Sequence, residues 1–159
     1  MTTMNKKMTK LLENTEFNQK KLPPQLSNLI EQGFYENEGC IFIKSLFEKK
    51  TNANSANFPD KTGYECFINS IHVDDYAPSD HLAIACFFVD CIFREWRFRA
   101  QRKSLRAIIF CDEISTSIKL HLIRDGESWI SSDLEGYEDA ILALDSDVYI
   151  SSIFPLFND

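Results

Sequence analysis

The stretch LRAIIFCDEISTSIKLHLI (residues 105–123) contains two apolar runs on either side of a short polar connection. Residues 105–111 are apolar at nearly every position, which is typical of a central strand covered on both faces. In residues 117–123 apolar and polar positions alternate, so we expect one face in the core and the other, with Lys119 and His121, in solvent. The connection DEIST is short enough for a hairpin. The stretch therefore predicts two neighbouring antiparallel strands.

A long helix is predicted just before this hairpin, from an N-cap at Ser79 or Asp80 to Lys103, because the stretch contains no internal glycine or proline. Two apolar arcs lie on nearly opposite sides of its helical wheel. The first arc consists of Leu82, Ala85, Cys86, Val89, Ile92, Phe93, Trp96 and Ala100. The second arc consists of Ile84, Phe87, Phe88, Cys91 and Phe98. A helix with two apolar sides is either covered on both or exposes one to a partner, so the second arc is a candidate homodimer face.

Weaker patterns complete the predicted fold. They indicate a helix from Pro24 to about Gln32, a polar loop at 49–63, and strands at 40–47, 64–73, 139–145 and 148–154. Residues 1–22 are interpreted as a tail or marginal helix before a single domain at 23–159. The order of elements predicts an α+β domain: a mainly antiparallel sheet of about five to six strands packed against one long helix and one or two shorter helices.

The overall composition is that of an ordinary globular domain. The chain has 159 residues, of which 44% are hydrophobic and 26% charged. No apolar run reaches the roughly 20 residues that a membrane crossing needs, and the N-terminal residues lack the features of a secretory signal. The five cysteines lie in apolar runs without zinc-ligand spacing. We therefore expect a cytoplasmic protein with reduced thiols, no membrane association, no metal and no cofactor.

Charge is concentrated in the last third of the chain. Residues 111–159 contain 2 basic and 11 acidic residues, whereas the whole chain has a net charge of −7. The run DGESWISSDLEGYED (125–139), called the acidic segment below, contains carboxylates and two aromatic residues but no basic residue. Its candidate partner-binding residues are Asp125, Glu127, Trp129, Asp133, Glu135, Tyr137, Glu138 and Asp139. Such a surface would attract a basic protein, with the aromatics as anchors, or it is a solvated loop whose aromatics lie in the core.

The basic run REWRFRAQRKSLR (94–106) has the composition of a nucleic-acid patch. On a helical wheel, however, its charges surround the helix instead of lining one face. The spacings of Asp90 with Arg94 and of Glu95 with Arg99 predict stabilising ion pairs along the helix. We therefore interpret the run as a solvated helix end and expect no nucleic-acid partner.

A catalytic alternative would use His72, Asp74, Asp75 and His81 to hold a divalent metal in a small hydrolase or nuclease. The simpler interpretation is that Asp74 and Asp75 belong to a turn between a strand and the long helix. GESWI (126–130) also fails as a nucleophile elbow, because Ile130 occupies the position of the second glycine. The sequence therefore predicts no catalytic residues.

Small, acidic, single-domain α+β chains without catalytic motifs resemble the immunity proteins of bacterial toxin systems. The resemblance concerns general character, and it implies a protein that neutralises a cationic toxin by covering its basic surface. We expect the chain to act in this way, with the metal-dependent hydrolase and the dimerising structural subunit as alternatives.

Overall fold

The predicted hairpin lies at the centre of the fold. In the structure, a computed structural model, β5 (Leu105–Cys111) and β6 (Thr116–Leu122) pair antiparallel, with Ala107 opposite Leu120. Asp112 closes the connection, because its Oδ1 accepts hydrogen bonds from the backbone N–H groups of Ile114 and Ser115 at 2.8 and 2.6 Å. An aspartate that bonds the backbone two and three residues ahead is a common way to make a tight turn.

The structure describes residues 1–18, 21–49, 52–99 and 102–150. The described helices are α1 (Lys6–Glu13), α2 (Pro24–Gln32), α3 (Lys44–Glu48), α4 (Lys61–Ile68) and α5 (His81–Phe98). The remaining strands are β1 (Thr2–Met4), β2 (Phe34–Asn37), β3 (Cys40–Ile43), β4 (Ser70–His72) and β7 (Ala140–Asp145). Short 3-10 turns occupy Ser55–Asn57, Val73–Asp75 and Leu134–Gly136. None of the helices in these ranges has the length and apolar character needed to cross a membrane.

The strands form two antiparallel sheets. The larger has five strands in the order β1-β7-β5-β6-β4, and the smaller is the hairpin of β2 and β3. The predicted α+β class, with a mainly antiparallel sheet and one long helix, is confirmed. The described part contains four shorter helices, however, because short helical segments occur where the sequence pattern predicted a loop or strand.

One face of the large sheet forms the main core with α5. Alternate residues of β5, β6 and β7, such as Ala107, Leu120 and Leu144, belong to one buried cluster with Phe88 and Phe93 of α5. Each large apolar side chain buried in this way contributes roughly 1.5–3 kcal/mol relative to its exposed state. The helix therefore fixes which sheet face points inward.

The other face of the sheet is also covered, which corrects the prediction for β6. His121 is only 1% exposed and Lys119 is half-buried, although alternation predicted that both would face solvent. Helix α4 contacts β6, and Leu134 of the acidic segment packs with Ile141 of β7. A period of two marks two faces but does not tell which of them is left uncovered.

Two predicted strands are partly helical. Residues 64–73 form the end of α4 and then β4, and residues 40–47 form β3 followed by α3. Asp60 caps α4, with its Oδ1 2.7 Å from the backbone N of Gly63. This cap lies in the stretch that the sequence pattern assigned to a loop, and an apolar run of this length fits either period.

The ends of two other predicted elements also differ from the sequence pattern. Helix α5 ends at Phe98, and residues 102–103 are not helical. Residues 148–150 are not in a strand, and the rest of the strand predicted at 148–154 lies outside the described residues. By contrast α2 and β7 have nearly the predicted bounds.

The first residues of the chain belong to the domain and are not a tail. Strand β1 pairs with β7, with Thr3 opposite Ala143, and α1 follows it at once. Asn5, between the two, is buried. Its side chain donates to the carbonyls of Leu134 and Asp139 and accepts from the backbone N–H groups of Met8 and Ile141. The polar residues of this stretch gave no sign of this, because three of the four contacts are with residues more than 120 positions away.

We predict that Asn5→Leu, which preserves volume but removes these hydrogen bonds, will lower the free energy of unfolding by roughly 3 kcal/mol, because buried backbone groups are left unpaired. Urea denaturation followed by circular dichroism measures this change. Asn18→Leu, at an exposed position, is the control and should have little effect. Equal stability of the two variants would show that residues 1–13 do not stabilise the domain.

Candidate functional site

The acidic segment lies across the second face of the large sheet. Leu134 is buried, and Ile130 and Tyr137 are half-buried against Ile108 and Ile141. The phenolic oxygen of Tyr137 accepts a hydrogen bond of 2.8 Å from the backbone N of Ser131. Tyr137, a candidate partner anchor, is therefore largely engaged inside the domain. These contacts give the segment a defined shape before any partner binds.

The candidate carboxylates differ in exposure. Asp125, Asp133, Glu135 and Glu138 are exposed, whereas Glu127 and Asp139 are half-buried. The structure thus places most of the predicted acidic residues on one surface-lying segment. It does not show what binds there.

Residues outside the acidic segment contact three of its acidic residues. Glu135 accepts a 2.8 Å hydrogen bond from the backbone N of Lys6, the first residue of α1. Lys7 Nζ donates to the backbone oxygen of Glu138. Arg124 Nε lies 3.8 Å from Glu127 Oε2. Of these three contacts, that of Arg124 with Glu127 is the one that brings a cation to a candidate carboxylate, while the two N-terminal contacts attach α1 to the acidic segment.

The other acids remain available for a partner. Among the described residues, no ion pair involves the carboxylates of Asp125, Glu138 or Asp139. Asp133 accepts a 3.2 Å hydrogen bond from the backbone N of Glu135 and so helps to shape its own segment. Asp125 and Glu138 are thus exposed acids whose carboxylates make no ion pair or hydrogen bond with another described residue.

Trp129 is the aromatic residue of the acidic segment that remains accessible. Its side chain is 40% exposed. Lys119 Nζ lies 5.4 Å from the centre of its ring and also donates to Cys66 O and Ser70 Oγ, each at 3.2 Å. Burial lowers the pKa of Lys119. The lysine therefore orients an indole whose outer part is free to contact another molecule.

The segment begins at a buried ion pair that joins it to α4. Arg124 Nη1 lies 2.5 Å from Oε1 of Glu65, which is completely buried. The same guanidinium donates to Gly39 O at 3.0 Å and to Thr62 Oγ1 at 3.2 Å. Several hydrogen bonds to one guanidinium fix its plane, so the start of the segment is held against α4 and the β2–β3 hairpin.

The alternative metal site is not assembled. His72, Asp74 and Asp75 are exposed, and His81 Nε2 lies 2.8 Å from the carbonyl oxygen of Ala77. Within the described ranges, no group of three or more His, Cys, Asp or Glu side chains is arranged to hold a metal ion. Asp74 and Asp75 lie in the turn Val73–Asp75, as the simpler interpretation predicted.

The first part of the basic run, residues 94–98, forms the end of α5, whereas Leu105 and Arg106 belong to β5. Arg94 Nη2 lies 2.6 Å from Asp90 Oδ2, and Arg99 Nε lies 3.6 Å from Glu95 Oε1. Burial raises the pKa of Asp90, and Arg94 opposes that effect. These two ion pairs account for part of the charge that would otherwise be open to phosphates.

The second arc of α5 is mostly covered within the chain. Ile84 and Phe88 are buried, and Phe87 and Cys91 are half-buried against the main core. Phe98, at 86% exposure, is the member that remains accessible. Helix α5 contacts both the sheet and α2, so the arc lacks the continuous exposed surface on which the dimer interpretation was based.

Residues 3–153 match the family described as Uncharacterized protein PM0498 family. The chain belongs to this family. A relative from Pasteurella multocida (strain Pm70), described as Uncharacterized protein PM0498, is 30% identical over 126 residues, which cover 73% of this chain and 78% of that protein. No solved structure matches the chain. The match begins within β1, so it includes most of residues 1–22, which the sequence pattern predicted to be a tail or marginal helix before the domain.

His121 makes stability depend on pH. Its Nδ1–H donates to Leu122 O at 2.7 Å, and no described residue pairs with its buried Nε2. Burial lowers the pKa of His121 and outweighs the hydrogen bond to Leu122 and the charge of Glu65, which raise it, while Arg106 and Arg124 add to the lowering. Near its ordinary pKa of about 6.5 the unfolded state binds more protons than the folded state, so stability is lost as pH falls below that value.

We predict that His121→Gln will flatten the decrease in melting temperature between about pH 7.5 and pH 5 relative to the unmodified protein. Thermal unfolding followed by circular dichroism across this range measures the slope. His72→Gln, which changes an exposed histidine, should leave the slope unchanged. The same slope in the His121 variant and the unmodified protein would rule out His121 as the titrating group.

Proposed function

We propose that the chain is a cytosolic, non-catalytic binding protein that docks a basic protein partner through the acidic segment. The observation that carries the proposal is a half-exposed Trp129 on the same packed segment as the unpaired, exposed carboxylates of Asp125 and Glu138. Large aromatic side chains within polar rims are enriched among residues that dominate binding energy. A segment that is already ordered also loses little conformational entropy when it binds.

Charge supports a basic partner over an acidic one. The chain has a net charge of −7, and its acids are concentrated in the last third. Such a surface attracts lysine and arginine side chains over a distance set by the ionic strength and repels phosphate groups. It therefore favours a protein partner over nucleic acid.

The partner that best fits this chemistry is a cationic toxin, as in the immunity proteins that the chain resembles in general character. A nuclease toxin uses basic side chains to hold its substrate, and carboxylates placed on those side chains would exclude the substrate. The proposed action is occlusion: Trp129 occupies a pocket while acids pair with the basic rim.

The partner can be identified with a photo-crosslinking amino acid placed at residue 132, an exposed position of the acidic segment, in native cells and mass spectrometry of the adduct. We expect a basic protein whose expression alone arrests growth, and co-expression of the chain should restore growth. A captured protein that is acidic, or a toxin that remains active despite the chain, would contradict the immunity proposal.

We predict that the variant Asp125→Lys with Glu138→Lys will weaken binding of that partner by more than about tenfold, chiefly by slowing association. For the unmodified chain, association should slow as salt rises from about 0.05 to 0.5 M, because the Debye length falls from roughly 14 to 4 Å. Surface plasmon resonance measures both rates. The control Glu13→Lys with Glu31→Lys changes the same amount of charge at exposed helix positions. An equal loss in both variants would show that net charge alone, not the acidic segment, determines the affinity.

We also predict that Trp129→Ala will weaken the partner complex by about 2 kcal/mol or more, as expected for an anchor residue, while its melting temperature changes little. The loss of the contact with Lys119 should cost only about 0.5–1 kcal/mol at such an exposed site. Calorimetric titration and thermal unfolding of the same preparation separate the two effects. A large decrease in melting temperature with unchanged affinity would assign Trp129 a purely structural role.

A further inference from the structure

A second potential site lies between α2, α3 and the turn that follows β4. A cavity of about 380 Å³ opens there, lined on one side by Gln25 and Asn28 of α2 and on the other by Ser45, Lys49 and Tyr76. Cavities that bind small molecules are commonly about 300–1,000 Å³. The volume therefore suits a small organic ligand, and no residue of the acidic segment lines it among the described residues.

The charge of the cavity is opposite to that of the chain. Among the described residues that line it, Lys49 is the one with a charge, and no carboxylate is present. In a protein with a net charge of −7, a cavity with this lining selects an anion, because a cation would meet an ammonium group there.

The hydroxyl of Ser45 lacks a hydrogen-bond partner. Its Oγ is buried, and no described residue donates to it or accepts from it. An unpaired buried polar group is costly, and native structures contain few of them. Because no hydrogen bond holds this hydroxyl in place, a rotation about χ1 toward the cavity would let it donate to a bound acceptor.

Other donors lie around the same space. Helix α2, of nine residues, begins at the cavity with Pro24, and the residue before it provides no side-chain cap. The positive end of its dipole therefore favours an anion. Burial raises the pKa of Tyr76, so its hydroxyl keeps its proton at neutral pH and can donate. Asn28 Oδ1 already accepts a hydrogen bond from Gln32 Nε2 at 3.5 Å, which leaves the Asn28 amide nitrogen as a donor.

Pro24 and Leu29 give the cavity an apolar part. We propose that it binds a small organic monocarboxylate, whose carboxylate contacts Lys49 and Ser45 and whose apolar part lies against Pro24 and Leu29. The ring of Tyr76 adds a flat apolar surface beside them. Inorganic anions would pair with the donors but leave Pro24 and Leu29 in contact with water. A ligand with an apolar group should therefore bind more tightly than an inorganic anion. The site is independent of the proposed docking function.

The test uses benzoate as the probe, with benzamide as an uncharged analogue of the same shape and inorganic phosphate as an anion without an apolar part. Titrations are followed by two-dimensional amide NMR of the full chain. We expect saturable shifts with benzoate at the amides of Ser45 and Lys49, and binding of benzamide and phosphate that is at least about tenfold weaker.

Variants separate the cavity from general attraction. Lys49→Gln should weaken benzoate binding at least about tenfold and Ser45→Ala about threefold to tenfold. Lys44→Gln removes an exposed lysine at the start of α3 that does not line the cavity, and this variant should bind benzoate normally. Amide spectra of each variant verify that the fold is intact.

The proposal is overturned if benzoate produces no saturable shift, if benzamide binds equally well, or if the Lys44 and Lys49 variants lose the same affinity. Preference for phosphate over benzoate would also overturn it, because the apolar part of the cavity would then contribute nothing.

Discussion

The arrangement of the layers depends on one buried carboxylate, that of Glu65. It accepts hydrogen bonds from the backbone N–H groups of Ile41 and Leu122, at 2.6 and 3.1 Å, and pairs with Arg124. A single side chain thereby joins α4, the β2–β3 hairpin and the large sheet. Separating any of these elements would leave the buried carboxylate without a partner, which is strongly destabilising. We therefore expect α4, the β2–β3 hairpin and the large sheet to fold cooperatively.

Other buried side chains satisfy backbone groups where strands end. Asn69 bonds Ile41 O, Ile43 N and Leu120 O across the gap between the two sheets, and Asn5 does the same between β1 and the acidic segment. The amide of Asn69 thereby bonds backbone groups of β3 that are not paired with another strand on that side. Because an amide donates and accepts at once, it can join two backbones that are not in register. Because Asn5 bonds Leu134 and Asp139, the backbone of the acidic segment is held in one conformation, and its exposed acids form a surface of defined shape.

The two proposed sites use the same chain in different ways. The acidic segment presents Trp129 and unpaired carboxylates outward, which suits a broad contact with a basic protein. The cavity beside α2 is instead lined by an exposed lysine and by a serine whose buried hydroxyl is unpaired, which suits a small anion. The opposite charges of the two sites give them different ligands, and the distinct residues allow each to be tested while the other is left intact.

The sequence by itself determined the central hairpin, α5, α2, β7 and the α+β class, because these elements have strong local periods or caps. It also identified the acidic segment, since charge content needs no tertiary information. Only the tertiary structure decided that β1 joins the sheet, that residues 64–68 are helical and that His121 is buried. It likewise decided that Tyr137 packs inward while Trp129 stays half-exposed. In each case the deciding contacts lie far apart in the sequence, and a pattern within one short window cannot show which distant element will cover a strand, pair with an edge or shield a side chain from water.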